Sequence, residues 1–393
     1  MISEKKFYKL RTSPSDFIVE EIINLKPCKK GKYTLYRLTK KNLDTYEAIK
    51  IISKRFNIPL NKISYCGMKD KHSLSIQFLT IPKKFRVESF SEKNIKLHRL
   101  FDVNRKVGLG MHLANKFTIT LRKMSNSTLE KILSNINFIK TGLIPNYYDS
   151  QRFGSIRGAK KKFIFEEIIK KNYEGALKIF LTGKYRKEKG YIKEIKEFIK
   201  LNWGNWSACK EFLKEKKKYE NFFEIIGYLE SNPHDYIGAI KLIRKHLLTL
   251  YISAYQSFIW NEAVKKILKD NVGEKCLEEV EYLAGSLYFL KKGDYKDFFH
   301  KYGKFSLPLP SSKIKIKLFE TILSERGVNI EDIDRTAEVI GITPAKALRR
   351  VLIKPKNLEV ITYGRENGNF LTLSFILPPG SYGTVVLKSL LAA

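Results

Sequence analysis

In the run Cys66-Gly-Met-Lys-Asp-Lys-His-Ser, one carboxylate, Asp70, stands between Lys69 and Lys71, with His72 following. Fixed cations on both sides favour an ionised carboxyl group, which suits nucleophilic attack or charge stabilisation better than proton donation. The same residues also describe a turn aspartate in a solvated basic loop. A second run, Ile144-Pro-Asn-Tyr-Tyr-Asp-Ser-Gln-Arg-Phe-Gly, brings Tyr147 and Tyr148 together with Asn146, Gln151 and Arg152. Aromatic faces beside hydrogen-bonding and cationic groups are the mixture that holds an unstacked base; core aromatics of an interdomain loop read the same way. Arg11, in Leu10-Arg-Thr-Ser-Pro-Ser-Asp-Phe-Ile-Val-Glu-Glu, precedes a turn and a strand, placed either to pair with a catalytic carboxylate or to lie on the surface. In Ser253-Ala-Tyr-Gln-Ser-Phe-Ile-Trp-Asn, Phe258 and Ile259 are expected in a core, with Gln256 and Asn261 satisfying buried backbone. Arg349 and Arg350 in Leu348-Arg-Arg-Val-Leu are candidate phosphate contacts.

The elements that must carry these side chains change in texture along the chain. From Phe7 to Arg122 the pattern is mainly strands, clearest in Ser75-Ile-Gln-Phe-Leu-Thr-Ile and Lys116-Phe-Thr-Ile-Thr-Leu-Arg, which alternate with period two. Asp16-Phe-Ile-Val-Glu-Glu-Ile and Lys32-Tyr-Thr-Leu-Tyr-Arg-Leu add two more, and Thr45 to Phe56 has helical spacing ahead of Pro59. After about Gly158 the chain turns to Lys/Glu-rich helical stretches, with one apolar-striped helix expected over 240–268 and another over Val339 to Ile353, around Pro344. Leu358-Glu-Val-Ile-Thr-Tyr and Phe370-Leu-Thr-Leu-Ser-Phe-Ile-Leu flank an Arg365-Glu-Asn-Gly-Asn turn, which reads as a hairpin, and a short C-terminal helix follows. The expected class is α+β: a mixed or antiparallel sheet formed by both ends of the chain, interrupted by a basic α-rich insertion.

Composition narrows the partner. The 393 residues carry 74 Lys+Arg against 40 Asp+Glu, a net charge of +34. Lysine enrichment from a hot habitat should raise both signs together, whereas here cations outnumber anions nearly two to one, so RNA or DNA is the expected partner. Residues 151–220 hold a net +11, nearly twice what the average charge density of the chain gives. With 43% apolar residues the chain can bury a core, and disorder as the main state is excluded. No stretch is long and apolar enough to span a membrane, and no secretory pattern follows the basic start, so a cytoplasmic protein is expected. Cys28, Cys66, Cys209 and Cys276 lie dozens of residues apart with no CxxC or CxxH, so neither a metal nor a disulfide is indicated. No phosphate-binding or dinucleotide glycine loop occurs, which favours cofactor-free chemistry.

Taken in order, the clusters resemble the TruD family of tRNA pseudouridine synthases. The resemblance runs from Pro14-Ser-Asp-Phe-Ile-Val-Glu-Glu through the Lys-Asp-Lys-His loop, Leu113-Ala-Asn-Lys-Phe-Thr-Ile-Thr-Leu-Arg and Pro145-Asn-Tyr-Tyr-Asp-Ser-Gln-Arg-Phe-Gly to Phe375-Ile-Leu-Pro-Pro-Gly-Ser-Tyr-Gly-Thr-Val-Val-Leu. It implies a catalytic domain formed by residues 1–158 and 349–393, an insertion domain over 159–348, and RNA held in the cleft between them. The catalytic aspartate falls on Asp70, the base-stacking aromatic on Tyr148, its neighbouring asparagine on Asn146 and the basic partner of the aspartate on Arg11. Lys69, His72, Gln151 and Arg152, from the same motifs, are expected to bind substrate. Better-known bacterial members have Phe at the Tyr148 position and Lys at the Arg11 position; Tyr still stacks, and Arg pairs with a carboxylate more geometrically than Lys. The implied reaction converts a uridine of tRNA, at position 13, into pseudouridine, on a monomer with no metal, no cofactor and no membrane. A non-catalytic RNA-binding or ribosome-associated protein is the alternative that charge and aromatics alone would also fit.

Overall fold

The computed structural model describes residues 7–154, 156, 162–183, 190–214, 220–365 and 368–393. The domain boundary expected at 158/159 and the middle of the turn after Arg365 lie outside them. In chain order the strands are β1 (Lys9–Leu10), β2 (Phe17–Ile22), β3 (Tyr33–Lys41), β4 (Ser64–Tyr65), β5 (Leu74–Pro82), β6 (Phe90–Glu92), β7 (Ile95–Val103), β8 (Ala114–Met124), β9 (Ile144–Pro145), β10 (Leu277–Tyr282), β11 (Gly285–Leu290), β12 (Ser306–Pro308), β13 (Leu348–Arg350), β14 (Leu352–Ile353), β15 (Lys356–Gly364) and β16 (Asn369–Leu377). The α-helices are α1 (Thr45–Arg55), α2 (Asn126–Lys140), α3 (Ile164–Ile169), α4 (Tyr173–Thr182), α5 (Gly190–Leu201), α6 (Trp206–Lys214), α7 (Glu220–Ser231), α8 (Tyr236–Lys241), α9 (Lys245–Val272), α10 (Lys296–Tyr302), α11 (Lys317–Ser324), α12 (Glu331–Val339) and α13 (Gly383–Ala392).

The chain forms two compact units. One takes Ile2–Ile144, Phe289–Asp294 and Leu352–Ala393. Its frame is a mixed sheet of ten strands in the order β15-β16-β8-β2-β5-β3-β7-β6, with β1 paired to β8 and β4 to β5. The pairing of β2 with β5 is parallel, Ile18 lying opposite Leu74 and Glu20 opposite Ile76; β3 and β8 flank that pair antiparallel. Two parallel neighbours begin at the same edge of a sheet, so the turn before β2 and the loop before β5 emerge side by side. Helix α1 starts on Asp44, whose side chain accepts the Glu47 amide at 2.8 Å, and lays Ala48, Ile49 and Ile52 on Leu38, Leu79, Ile81 and Leu97 of the sheet. At the other end of the sheet α13 begins at Gly383, where a Cβ would come within 2.9 Å of the Phe117 ring, so only glycine lets the helix approach β8 this closely.

The second unit takes Pro145–Tyr288 and Tyr295–Val351 and is mostly helical. Its axis is α9, which is buried over most of its length from Leu248 to Leu268; a helix apolar on several faces is one surrounded by others. The bidentate pair of Arg326 with Glu166, at 3.1 and 2.7 Å, fastens the loop after α11 to α3.

Two helices differ from their expected form. The helix expected over 240–268 is broken: α8 ends at Lys241 and α9 starts at Lys245. Asn221 takes up the freed backbone, its Nδ2 donating to the Leu242 carbonyl at 2.8 Å. The helix expected over 339–353 is absent. Gly341, at φ +70°, closes α12, its amide donating to Glu338 and that of Ile342 to Ala337, the paired bonds of a Schellman stop. The chain then returns as β13, antiparallel to β12. The reason is local: a glycine in the left-handed region ends the helix before Pro344 is reached.

Candidate active site

Within the sheet unit, the loop leading into β5 is pinned from below by buried polar groups. Gln77 Nε2 donates to the Gly67 carbonyl at 3.2 Å, and the Lys69 amide donates to Thr45 Oγ1 at 2.9 Å. Ser73 Oγ donates to the Asp70 carbonyl at 3.0 Å. Thr45, Ser73 and Gln77 are all fully buried, so each of these bonds replaces one that water would otherwise make. Glu21, on the inward face of β2 at a position apolar in Phe17 and Val19, ion-pairs with Lys69 Nζ at 2.5 Å. Its other oxygen accepts the Phe78 amide at 3.0 Å. Lys69 therefore turns inward, its side chain 10% exposed, while Lys71 points outward to Glu47 at 3.4 Å.

Asp70 is left at the top of this bed, with its side chain 44% exposed. Arg11 Nη2 donates to its Oδ2 at 3.1 Å. Arg11 holds a left-handed backbone, φ +61°, which for a side-chain-bearing residue costs on the order of 1–2 kcal/mol. The strain accompanies a specific aim: the guanidinium stacks 4.2 Å above the Phe17 ring, and Phe17 is in turn braced edge-on by Phe117. His72 is exposed. Cys66 is inert by comparison, since burial pushes its thiol up to about 12.

In the helical unit, the run after Pro145 is buried and well bonded rather than looped out. Asn146 is held on both sides: Arg349 Nη2 donates to its Oδ1 at 2.8 Å, and its own Nδ2 donates to the Arg350 carbonyl at 3.1 Å. Tyr148 is clamped through its backbone by Asn261 of α9, which accepts its amide at 2.9 Å and donates to its carbonyl at 2.8 Å. Tyr148 is 8% exposed. The Arg349 guanidinium lies 4.2 Å from its ring centroid, and Trp260 meets it edge-on at 5.6 Å. Arg152 donates to Ser257 Oγ at 3.0 Å, and Gln151 is exposed.

Arg11, Lys69, Asp70 and His72 thus belong to one unit, and Asn146, Tyr148, Gln151 and Arg152 to the other. Phe258 and Ile259 are core residues and Gln256 is a buried clamp, bonding Pro310 and both backbone groups of Ala345, as their positions in the sequence implied. Arg349 does not lie on the surface as a phosphate contact. In β13 alternate residues face opposite ways, which turns Arg349 inward and leaves Leu348 and Arg350 exposed. Sequence reasoning missed Glu21 and Arg349 as supports. A carboxylate at an inward strand position is the signal that marks the first.

A family model described as tRNA pseudouridine synthase D (TruD) matches residues 3–390. A relative from Methanocaldococcus jannaschii, described as "Probable tRNA pseudouridine synthase D 2", is 38% identical over 391 residues, covering 97% of this chain and 91% of that protein. A second, from Methanococcus maripaludis, "Probable tRNA pseudouridine synthase D 1", is 33% identical and covers 97% of this chain and 98% of its own. Among solved structures, a crystal structure from Methanosarcina mazei described as a putative tRNA pseudouridine synthase D superposes with a TM-score of 0.69 at 25% identity, covering 98% of this chain and 93% of that one.

Proposed function

The chain belongs to the tRNA pseudouridine synthase D family, and from that premise we propose that it isomerises uridine 13 of tRNA, with Asp70 as the carboxylate that starts the reaction. The enzyme class, a tRNA pseudouridine synthase, follows from the family match and from relatives of the same description. The choice of Asp70 rests on one observation: it is a half-exposed carboxylate on a loop otherwise tied down by buried bonds, held by a strained arginine at 3.1 Å.

The reaction exchanges the N1–C1′ glycosidic bond for C5–C1′; the proton at C5 is released and one is taken up at N1, so no oxidant or reductant enters. Taking the uridine out of its stack costs a few kcal/mol. Stacking on Tyr148 offsets part of this, an aromatic face being worth about 1–3 kcal/mol per base. Attack on C1′ and removal of the 2′ proton both begin from the Asp70 carboxylate. Arg11 orients that carboxylate. Asn146, rigid between Arg349 and Arg350, serves the base. Lys69 acts through Glu21 by shaping the loop, and His72, Gln151 and Arg152 contact the RNA. The lysine-rich insertion over 159–348, set between catalytic portions 1–158 and 349–393, supplies backbone contacts, and the protein works as a cytoplasmic monomer.

The test is Asp70→Asn, assayed for pseudouridine at position 13 of unmodified tRNA. Loss of an essential nucleophile removes several decades of rate, and activity above ~1% of wild type refutes the assignment. Pseudouridine formed at another position, by wild type, refutes the target while leaving the chemistry.

A further inference from the structure

Beneath the Asp70 loop lies a lysine that none of the steps above uses. Lys40, next to last in β3, is fully buried. Its ammonium donates to three main-chain carbonyls, those of Leu43 at 2.7 Å, Asp70 at 3.0 Å and Lys69 at 3.2 Å, with Ser75 Oγ at 3.5 Å. Ser75 lies opposite Lys40 in the β3–β5 register, so the ammonium reaches the loop from the strand next to the one the loop feeds. Two successive carbonyls aimed at the same point repel each other; that of Asp70 also accepts Ser73 Oγ, and Lys40 brings the two together. An ammonium has three protons in a compact tetrahedral array, and charge-assisted bonds are stronger than neutral ones. A planar guanidinium would not match, and a thioether of similar length has nothing to donate.

We propose that Lys40 is a positioning residue for the reaction: by gathering the Lys69 and Asp70 carbonyls it fixes the direction in which the Asp70 side chain leaves the loop. The inference rests on Asp70 being the reactive carboxylate. Burial brings the Lys40 ammonium down from the usual 10.5 to about 8; the Asp70 and Asp44 carboxylates oppose this and the Lys69 charge adds to it. A neutral amine keeps two donors and turns a lone pair on the third carbonyl, so the loop loses one of its ties just above neutral pH. Because the folded-state value lies below the unfolded one, the native state sheds this proton first. This group therefore does not lower global stability as pH rises through 8, and a loss of rate there reports loop geometry, not unfolding.

The experiment measures single-turnover pseudouridine formation from pH 6.5 to 9.5 at saturating tRNA, with tRNA affinity and the thermal midpoint followed at each pH. In wild type the rate should fall by up to about five-fold between pH 8 and 9, as the protonated fraction drops, with affinity and midpoint nearly level. Lys40→Met should run about 10- to 100-fold slower at pH 7, without that alkaline fall. A wild-type rate flat to pH 9, or one that falls only in step with the thermal midpoint or with affinity, overturns the proposal even if the variant does not fold. So does Lys40→Met at the wild-type rate. Asp70→Asn assayed alongside separates the two readings: if it is active, the assignment of Asp70 has failed; if it is inactive while Lys40→Met is fully active, only the role of Lys40 has failed.

Discussion

At the scale of single residues, the groups around Asp70 differ in their surroundings although their types are alike. Lys40, Lys69 and Lys71 lie within one short reach of Asp70 in the chain or the sheet, yet the first is buried against carbonyls, the second is paired with buried Glu21, and the third faces solvent. The Lys69–Glu21 pair is the one whose loss is measurable as stability. Removing one member of a buried ion pair costs about 3–5 kcal/mol, because it strands the other charge, whereas replacing both with apolar residues of similar size is often nearly neutral. Glu21→Gln should therefore lower the thermal midpoint by several degrees, and Glu21→Gln combined with Lys69→Met, which removes both charges while the amide oxygen still accepts the Phe78 amide, should recover most of it. Equal destabilisation in the single and double variants would show that the cost does not come from stranding the Lys69 charge. The sequence announces Asp70 through its neighbours, but it is silent on which of those neighbours face inward, since that depends on the face of β2 and on a loop crossing it.

At the scale of elements, rigidity comes from helices that lend side chains to irregular backbone. The first turn of α1 gives Thr45 to the Asp70 loop, and the middle of α9 gives Asn261 to Tyr148. Asn261→Ala deletes both bonds to the buried Tyr148 backbone, a loss of about 2–3 kcal/mol. The expected signature is a lower kcat on tRNA with Kd nearly unchanged; a change confined to Kd would place Tyr148 among binding groups with no part in the reaction. Most main strands of the sheet and one helix were legible from periodicity: β2, β3, β5, β8, α1 and the β15–β16 hairpin stand where alternation, apolar spacing and turn residues put them. Of the two misread helices, one is broken after Lys241, where Asn221 bonds the freed Leu242 carbonyl, and in place of the other α12 closes at a left-handed Gly341. An apolar stripe carries no record of either.

At the scale of the whole molecule, the net charge of +34 dominates the attraction of a polyanionic substrate. Affinity for tRNA should weaken by about ten-fold or more between 50 and 200 mM salt, as released counterions are taken back; a Kd independent of salt would mean that the basic surface does not engage the RNA backbone. Residue type and short spacing were enough to reveal the family, the candidate carboxylate and its basic partner, the alternation of strands and helices, and the sign of the partner's charge. How Arg11 reaches Asp70 is a matter of tertiary structure. The parallel pairing of β2 with β5 closes the 59-residue separation between them, because it brings the segments before both strands to one edge of the sheet. The same kind of long-range arrangement makes Arg349 a buried brace and sets Lys40 beneath the loop. Those placements follow from strand direction and register, which are settled by packing between distant segments and leave no mark at any single position of the chain.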